Sequence, residues 1–240
     1  MHSHILQRAN PVIQSKQLYF VRHGESEANL LHEFSNRGRK HPLTERGRAQ
    51  AQQLTGVFQR LRSASTTAIT HIYTSPLLRA TETASILATT LGVGVTVHNA
   101  LREYDCGILE GRADAAGWAL YTEVQQAWLE QGDWDRRIEG GESFRDMQAR
   151  FVPFVRALLE RQREDEAFML IGHGGLFHCM LPLVLTNVDP AFVRSHPMDN
   201  TAYVLATEQN GQLICTQWCG LNLPIFDHDP WEDETKDAEI

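Results

Sequence analysis

The chain has 240 residues, 42% of them hydrophobic, with a formal charge of -8 and a pI near 5.7. That apolar content supports a packed globular core, while the acidic balance excludes a general nucleic-acid or anionic-membrane binder, which needs an extended basic surface. Four cysteines without a CxxC pair exclude a disulfide scaffold and read as reduced thiols of a cytoplasmic protein.

Residues 1–16 read as a flexible leader: they contain no apolar h-region and no small-residue cleavage site, and no later apolar run is long enough to span a bilayer. His2 and His4 read as solvated rather than as metal ligands. The first strand signal is Leu18–Val21, which stops at Arg22-His23-Gly24. Thr44 is placed to cap a helix over Glu45–Leu61 that buries Ala49, Leu54, Val57, Phe58 and Leu61. A strand over Ala68–Tyr73 follows, then a helix to Leu91 with Ser75 as N-cap and Pro76 at its first position. Val95–Val97 predicts a short strand.

The span 101–141 is punctuated by glycines and reads as an insertion over one face, with one amphipathic segment over Ala115–Glu130. A helix is expected over Glu142–Arg163, with Pro153 bending it or marking its true start. Ala167–Ile171 is the next strand and ends at Gly172-His173-Gly174-Gly175. Two last strands, Thr201–Ala206 and Leu213–Trp218, flank the hairpin signal Gln209-Asn210-Gly211. Residues 221–240 form an acidic tail. One α/β domain over 17–220 with an insertion is the economical reading.

Arg22-His23-Gly24 and Gly172-His173-Gly174 both stand where an apolar strand ends, and ligands of open α/β sheets gather outside those ends. Two cations beside a buried edge need an anion, and a phosphoryl group supplies one. In that chemistry a neutral His23 is the nucleophile, its second ring nitrogen donating to a backbone carbonyl. Neighbouring positive charge keeps the imidazole unprotonated. Arg22 and Arg79 are forked donors to the phosphoryl oxygens, His173 is a second imidazole donor, and the amides of Gly24 and Gly174 are further donors. Glu103 is the general acid and then the base, its pKa pulled down by the arginines in the free site and pushed up when a dianion neutralises them.

In order, LYFVRHGESEAN, PLTERGRAQA, TSPLLRATETA, LREYDCGILEGR, GGESF and LIGHGG resemble the histidine phosphatase superfamily, the phosphoglycerate mutase-like group, over roughly residues 18 to 207. The resemblance implies a three-layer α/β/α sandwich with a central, mostly parallel mixed sheet. It also implies a phosphohistidine on His23, a phosphate pocket of Arg22, Arg79, His173 and Asn29, Glu103 as proton donor, a small phosphorylated substrate, and no metal ion or cofactor. EYDCGILEGR looks like the phosphatase branch; the alternatives are a cofactor-dependent phosphoglycerate mutase and an inactive member that binds a phosphorylated ligand or a protein. One departure is the basic run Arg37, Arg39, Lys40 before PLT, where many members are acidic. It reads as a solvated loop, or less readily as a dock for a second anionic group on the substrate. Trp118, Tyr121 and Trp128 read first as packing residues and second as a substrate wall. Oligomeric state is left open.

Overall fold

A strand buried on both faces needs two covering layers, and β1 (Gln17–Arg22) is such a strand. The computed structural model describes residues 15–64 and 67–224; the remainder of the expected leader and acidic tail lies outside the described residues. Leu18 and Phe20 belong to one apolar cluster and Tyr19 and Val21 to the other, as the two-residue repeat of a strand requires.

The other strands are β2 (Ala68–Thr74), β3 (Gly94–Val97), β4 (Glu166–Gly172), β5 (Tyr203–Gln209), β6 (Gln212–Trp218) and β7 (Leu221–Asn222). They form one seven-stranded sheet in the order β3-β2-β4-β1-β5-β6-β7. β4 runs parallel to both β1 and β2, β2 runs parallel to β3, and β5 runs antiparallel to β1. The expected mixed α/β sandwich is the observed architecture. Asn210 and Gly211, at φ 52° and 80°, turn β5 into β6.

The helices are α1 (Glu27–Leu31), α2 (Glu45–Ala64), α3 (Leu78–Leu91), α4 (Ala115–Leu129), α5 (Phe144–Arg161), α6 (Gly174–Met180) and α7 (Pro190–Ser195). α2 and α3 cover one face, where Leu54, Phe58, Ala84 and Leu87 meet Tyr19, Val21, Ile72 and Met169. α5, α6 and the insertion helix α4 cover the other through Phe151, Leu158, Phe177 and Trp128. Phe58 is fully buried and packs edge-on to Tyr19 at 5.1 Å. Phe58→Ala should lower the unfolding free energy by about 3–5 kcal/mol in a urea titration.

Three local expectations are corrected. Ser75 does not cap α3, which begins at Leu78 with Leu77 as N-cap; the Ser75 hydroxyl instead accepts the Leu77 N–H at 3.2 Å. Ala49 is exposed and Ala51 takes the buried position in α2, because the buried stripe then continues to Leu54 and Phe58. Pro153 does not mark the start of α5, since a reciprocal cap between Ser143 and Asp146 starts the helix at Phe144 and Pro153 lies inside it on the exposed side. Thr44 does cap α2, accepting from the Gly47 N–H at 2.9 Å. Among the described residues no helix is long and apolar enough to cross a membrane.

Candidate active site

Register brings the two histidine turns together. Arg22 pairs with Gly172 across β1 and β4, and Thr74 pairs with Ile171 across β2 and β4, so the residues after all three strands leave the sheet at one level. His23 and His173 follow directly, with ring centroids 5.0 Å apart. His23 Nδ1 lies 2.7 Å from the Gly24 carbonyl and its Nε2 lies 3.0 Å from Arg79 Nε. A guanidinium only donates, so Nε2 accepts, and Nδ1 carries the proton that it donates to Gly24. The network therefore fixes one neutral tautomer with its lone pair on Nε2.

Electrostatics keep that ring neutral. Burial, then Arg79, then Arg22 hold the His23 pKa well below the ordinary imidazole value. Burial followed by Arg79 does the same for His173. Burial lowers Arg79 to about 10, which leaves it charged at neutral pH.

Two nitrogens in this cluster are buried without a partner: Arg22 Nε, a donor, and His173 Nδ1. Their other sides are occupied, since Arg22 Nη1 donates to the Met198 carbonyl at 2.6 Å and His173 Nε2 lies 2.7 Å from the Ser75 hydroxyl. Unsatisfied buried polar groups are costly and rare, and an anionic oxygen at this place would satisfy Arg22 Nε, and His173 Nδ1 in the tautomer that protonates it.

Glu103 approaches from the insertion. Its carboxylate accepts the Tyr104 N–H at 3.1 Å and the Gly175 N–H at 2.9 Å. Gly175 must be glycine here, because a Cβ would stand 2.9 Å from Glu103 Oε1 and 2.8 Å from the Tyr104 ring. Contrary to the lowering expected from the arginines, the Glu103 pKa is raised, because burial outweighs the amides and Arg79, which lower it.

A cleft of about 240 Å³ opens on this cluster, lined by Arg22, His23, Asn29, Arg79, Glu103 and Gly174, with Phe34, Trp118 and Tyr121 in its outer wall. Thus the structure gathers all but two of the residues expected of the site along one cleft. His173 is not among the lining residues, although its ring lies 5.0 Å from that of His23. Gly24 is the correction: its N–H donates to Thr83 Oγ1 at 3.1 Å and is committed. Its glycine serves a close approach to the Gly47 carbonyl of α2, which a Cβ would strike. Asn29 Oδ1 accepts from the Ser26 N–H and hydroxyl, each at 3.0 Å, which leaves its amide nitrogen for the cleft. Trp128 is core, whereas Trp118 and Tyr121 are wall.

The basic run stands outside the lining of the cleft. Arg37 makes a two-oxygen contact with Asp105 at 2.8 and 2.9 Å and donates to the Gly140 carbonyl, and none of Arg37, Arg39 and Lys40 lines the cavity. Arg37 instead ties the loop after α1 to the insertion. Glu110 helps by accepting the Asn36 N–H at 2.7 Å and the Arg37 N–H at 3.3 Å. The neighbouring Ser35 carbonyl accepts from Arg79 Nη1 at 2.8 Å, so this strap aims the guanidinium. Glu110→Ala should therefore lower kcat/KM by about tenfold, mostly through KM, with the fold retained; steady-state kinetics beside circular dichroism read both.

The fold and this cluster define a class: an α/β/α sandwich with two imidazoles and two guanidinium groups converging at parallel strand ends on an anion-sized cage. Residues 18–219 match the family described as the histidine phosphatase superfamily (branch 1), and the chain belongs to that family. It is 36% identical over 172 residues to "Probable phosphoglycerate mutase GpmB" of Salmonella choleraesuis (strain SC-B67), covering 70% of this chain and 74% of that protein. Among solved structures it is similar to mycobacterial glucosyl-3-phosphoglycerate phosphatase, at 25% identity and a TM-score of 0.71, covering 85% of this chain and 99% of that one. The alpha-ribazole phosphatase from Shigella flexneri, 21% identical, shares the fold with a TM-score of 0.68 over 88% of this chain and 100% of that one.

Proposed function

We propose that this protein is a metal-independent phosphomonoester hydrolase acting through a phosphohistidine on His23, within a catalytic domain spanning residues 17–220. The observation that carries the reading is the fixed neutral tautomer of His23, whose Nε2 lone pair faces the cage of Arg22 and Arg79. Phosphate oxygens take up Arg22 Nε, His173 Nδ1, the Asn29 amide and Arg79. The Arg79 Nε–H moves from His23 Nε2 to a phosphoryl oxygen and so frees the nucleophile. In this reading the Ser75 hydroxyl, which accepts the Leu77 N–H, donates to His173 Nε2, and the His173 proton sits on Nδ1 for the phosphoryl oxygen.

In the first step the Nε2 lone pair forms a bond to phosphorus, the bond from phosphorus to the alcohol oxygen breaks, and Glu103 gives that oxygen its proton. In the second step Glu103, now a carboxylate, takes a proton from water; the water oxygen bonds to phosphorus, and the N–P bond breaks with its electron pair returning to Nε2. Arg22 and Arg79 match the charge on the transferring group throughout.

A mutase is the second reading, favoured by the 36% identity to the Salmonella relative. It needs a cation for the carboxylate of a phosphoglycerate, and among the described lining residues the cleft offers only Arg22 and Arg79, both engaged with the phosphoryl group. The experiment is a rapid quench of an aryl phosphate reaction at alkaline pH, with the phosphorylated peptide mapped by mass spectrometry. Phosphate on the peptide containing His23, labile to acid, supports the hydrolase; an enzyme that turns over with no phosphorylated histidine refutes the mechanism.

A further inference from the structure

The residues beyond the cage carry a different chemistry from the cage itself. A second cavity of about 210 Å³ shares Arg22, Tyr121, Gly174 and Gly175 with the cleft and adds Gln125, His178, Val193, Pro197 and Met198. Burial and Arg194 hold the His178 pKa below its ordinary value, so this extension is uncharged apart from Arg22. Among the described residues lining either cavity, no cation remains once Arg22 and Arg79 hold the phosphoryl group.

The rim adds the opposite sign. Glu33 lines the cleft, and its Oε1 lies 3.1 Å from His41 Nε2, while Glu27 Oε2 lies 4.0 Å from His41 Nδ1. A single imidazole thus stands between two carboxylates. Beside Glu33 is a cluster of three aromatic rings set at angles to one another: the buried Phe34 ring is 4.2 Å from Trp118 and 5.2 Å from Tyr121, centroid to centroid, and Trp118 and Tyr121 meet edge to face at 5.4 Å. The indole is fixed by its Nε1–H donating to the His32 carbonyl at 3.0 Å. Aromatic faces of this kind take up the apolar face of a ring while its polar edge stays wet.

We infer that the substrate is a phosphomonoester of an uncharged, ring-bearing alcohol, a sugar or a nucleoside, whose ring lies on the Phe34, Trp118 and Tyr121 wall, and that Glu33 turns away esters carrying a carboxylate beside the phosphate. This rests on the hydrolase reading for its catalytic step, but the preference is a property of binding. A carboxylate in this cleft loses its hydration, gains no cation and faces Glu33.

Three phosphomonoesters separate the two parts of the inference. Glycerol 3-phosphate against 3-phosphoglycerate isolates the carboxylate, and glucose 6-phosphate against glycerol 3-phosphate isolates the ring. Each is measured twice, as kcat/KM on the wild type and as Kd by calorimetry on His23→Ala. The expected order is glucose 6-phosphate, then glycerol 3-phosphate, then 3-phosphoglycerate, with steps of about tenfold. Glu33→Gln should shrink the second step by about fivefold, and Trp118→Ala should abolish the first through KM and Kd. Equal or better handling of 3-phosphoglycerate, a carboxylate penalty indifferent to Glu33→Gln, or a ring preference that is absent or survives Trp118→Ala would each overturn the inference. Loss of turnover with the binding order intact would instead count against the hydrolase reading alone.

Discussion

His23→Ala is expected to cut phosphate release from an aryl phosphate in excess EDTA by about a thousandfold or more, the usual scale for removal of a covalent nucleophile. The neighbourhood offers no substitute. His173 has its Nε2 tied to Ser75, and Glu103 is held by the Tyr104 and Gly175 amides. The variant should remain folded, because the ring it removes sits in the turn after β1 rather than in either apolar cluster. The wild-type pH profile gives an independent check. His23 must be neutral to attack, and its pKa is depressed, so it stays neutral as pH falls through the ordinary imidazole value near 6.5. The acid limb of kcat/KM therefore belongs below pH 6.5. Turnover that survives in His23→Ala, or an acid limb above 6.5 traced to His23, would end the assignment of the nucleophile.

Glu103→Gln should have the second largest effect, and its signature is selectivity by leaving group. An alkyl phosphate releases an alkoxide that needs a proton, so its kcat should fall by about 10² to 10⁴; a nitrophenyl ester, whose phenolate leaves unaided, should lose about tenfold or less in the phosphorylation step. Glutamine keeps a carbonyl oxygen for one of the two amides that hold Glu103 and loses the acceptor for the other, so circular dichroism of the variant should accompany the kinetics. The pH dependence carries a definite sign. Burial raises the Glu103 pKa, the acid form is the active one in the first step, and activity is lost as pH rises through that raised value. The glutamine variant has no carboxyl to titrate there and should lose this alkaline limb. A uniform loss across both esters would make Glu103 a positioning residue instead.

The strand ends could be read in the sequence because apolar runs such as Leu18–Val21 and Ala167–Ile171 stop abruptly at charged or glycine-rich turns, and chain direction then places those turns on one edge of the sheet. Arg79 and Glu103 were legible through their motifs. What escaped acts through the backbone or across long separations. The Ser35 carbonyl holds Arg79 from 44 residues away, and Arg37 finds Asp105 at a separation of 68. Glu110 works on two amides, and the Asn200 side chain donates to the His23 carbonyl from a separation of 177. No local pattern encodes such partners, because a carbonyl has no side-chain identity and a loop composition does not state its path. The same limit explains the Gly24 error. Glycine before a helix signals close approach, but whether to a ligand or to Gly47 depends on how α2 packs.

The contact from Arg79 to His23 has a further meaning for the resting protein. With Nε2 accepting from the Arg79 Nε–H, the lone pair proposed to attack phosphorus is held in a hydrogen bond. An incoming molecule uncaps it only by offering the guanidinium a better partner, which means an anion at the right distance. On the proposed mechanism a neutral electrophile offers the guanidinium no such partner, so the charge of the bound molecule governs the reactivity of His23 before its shape does.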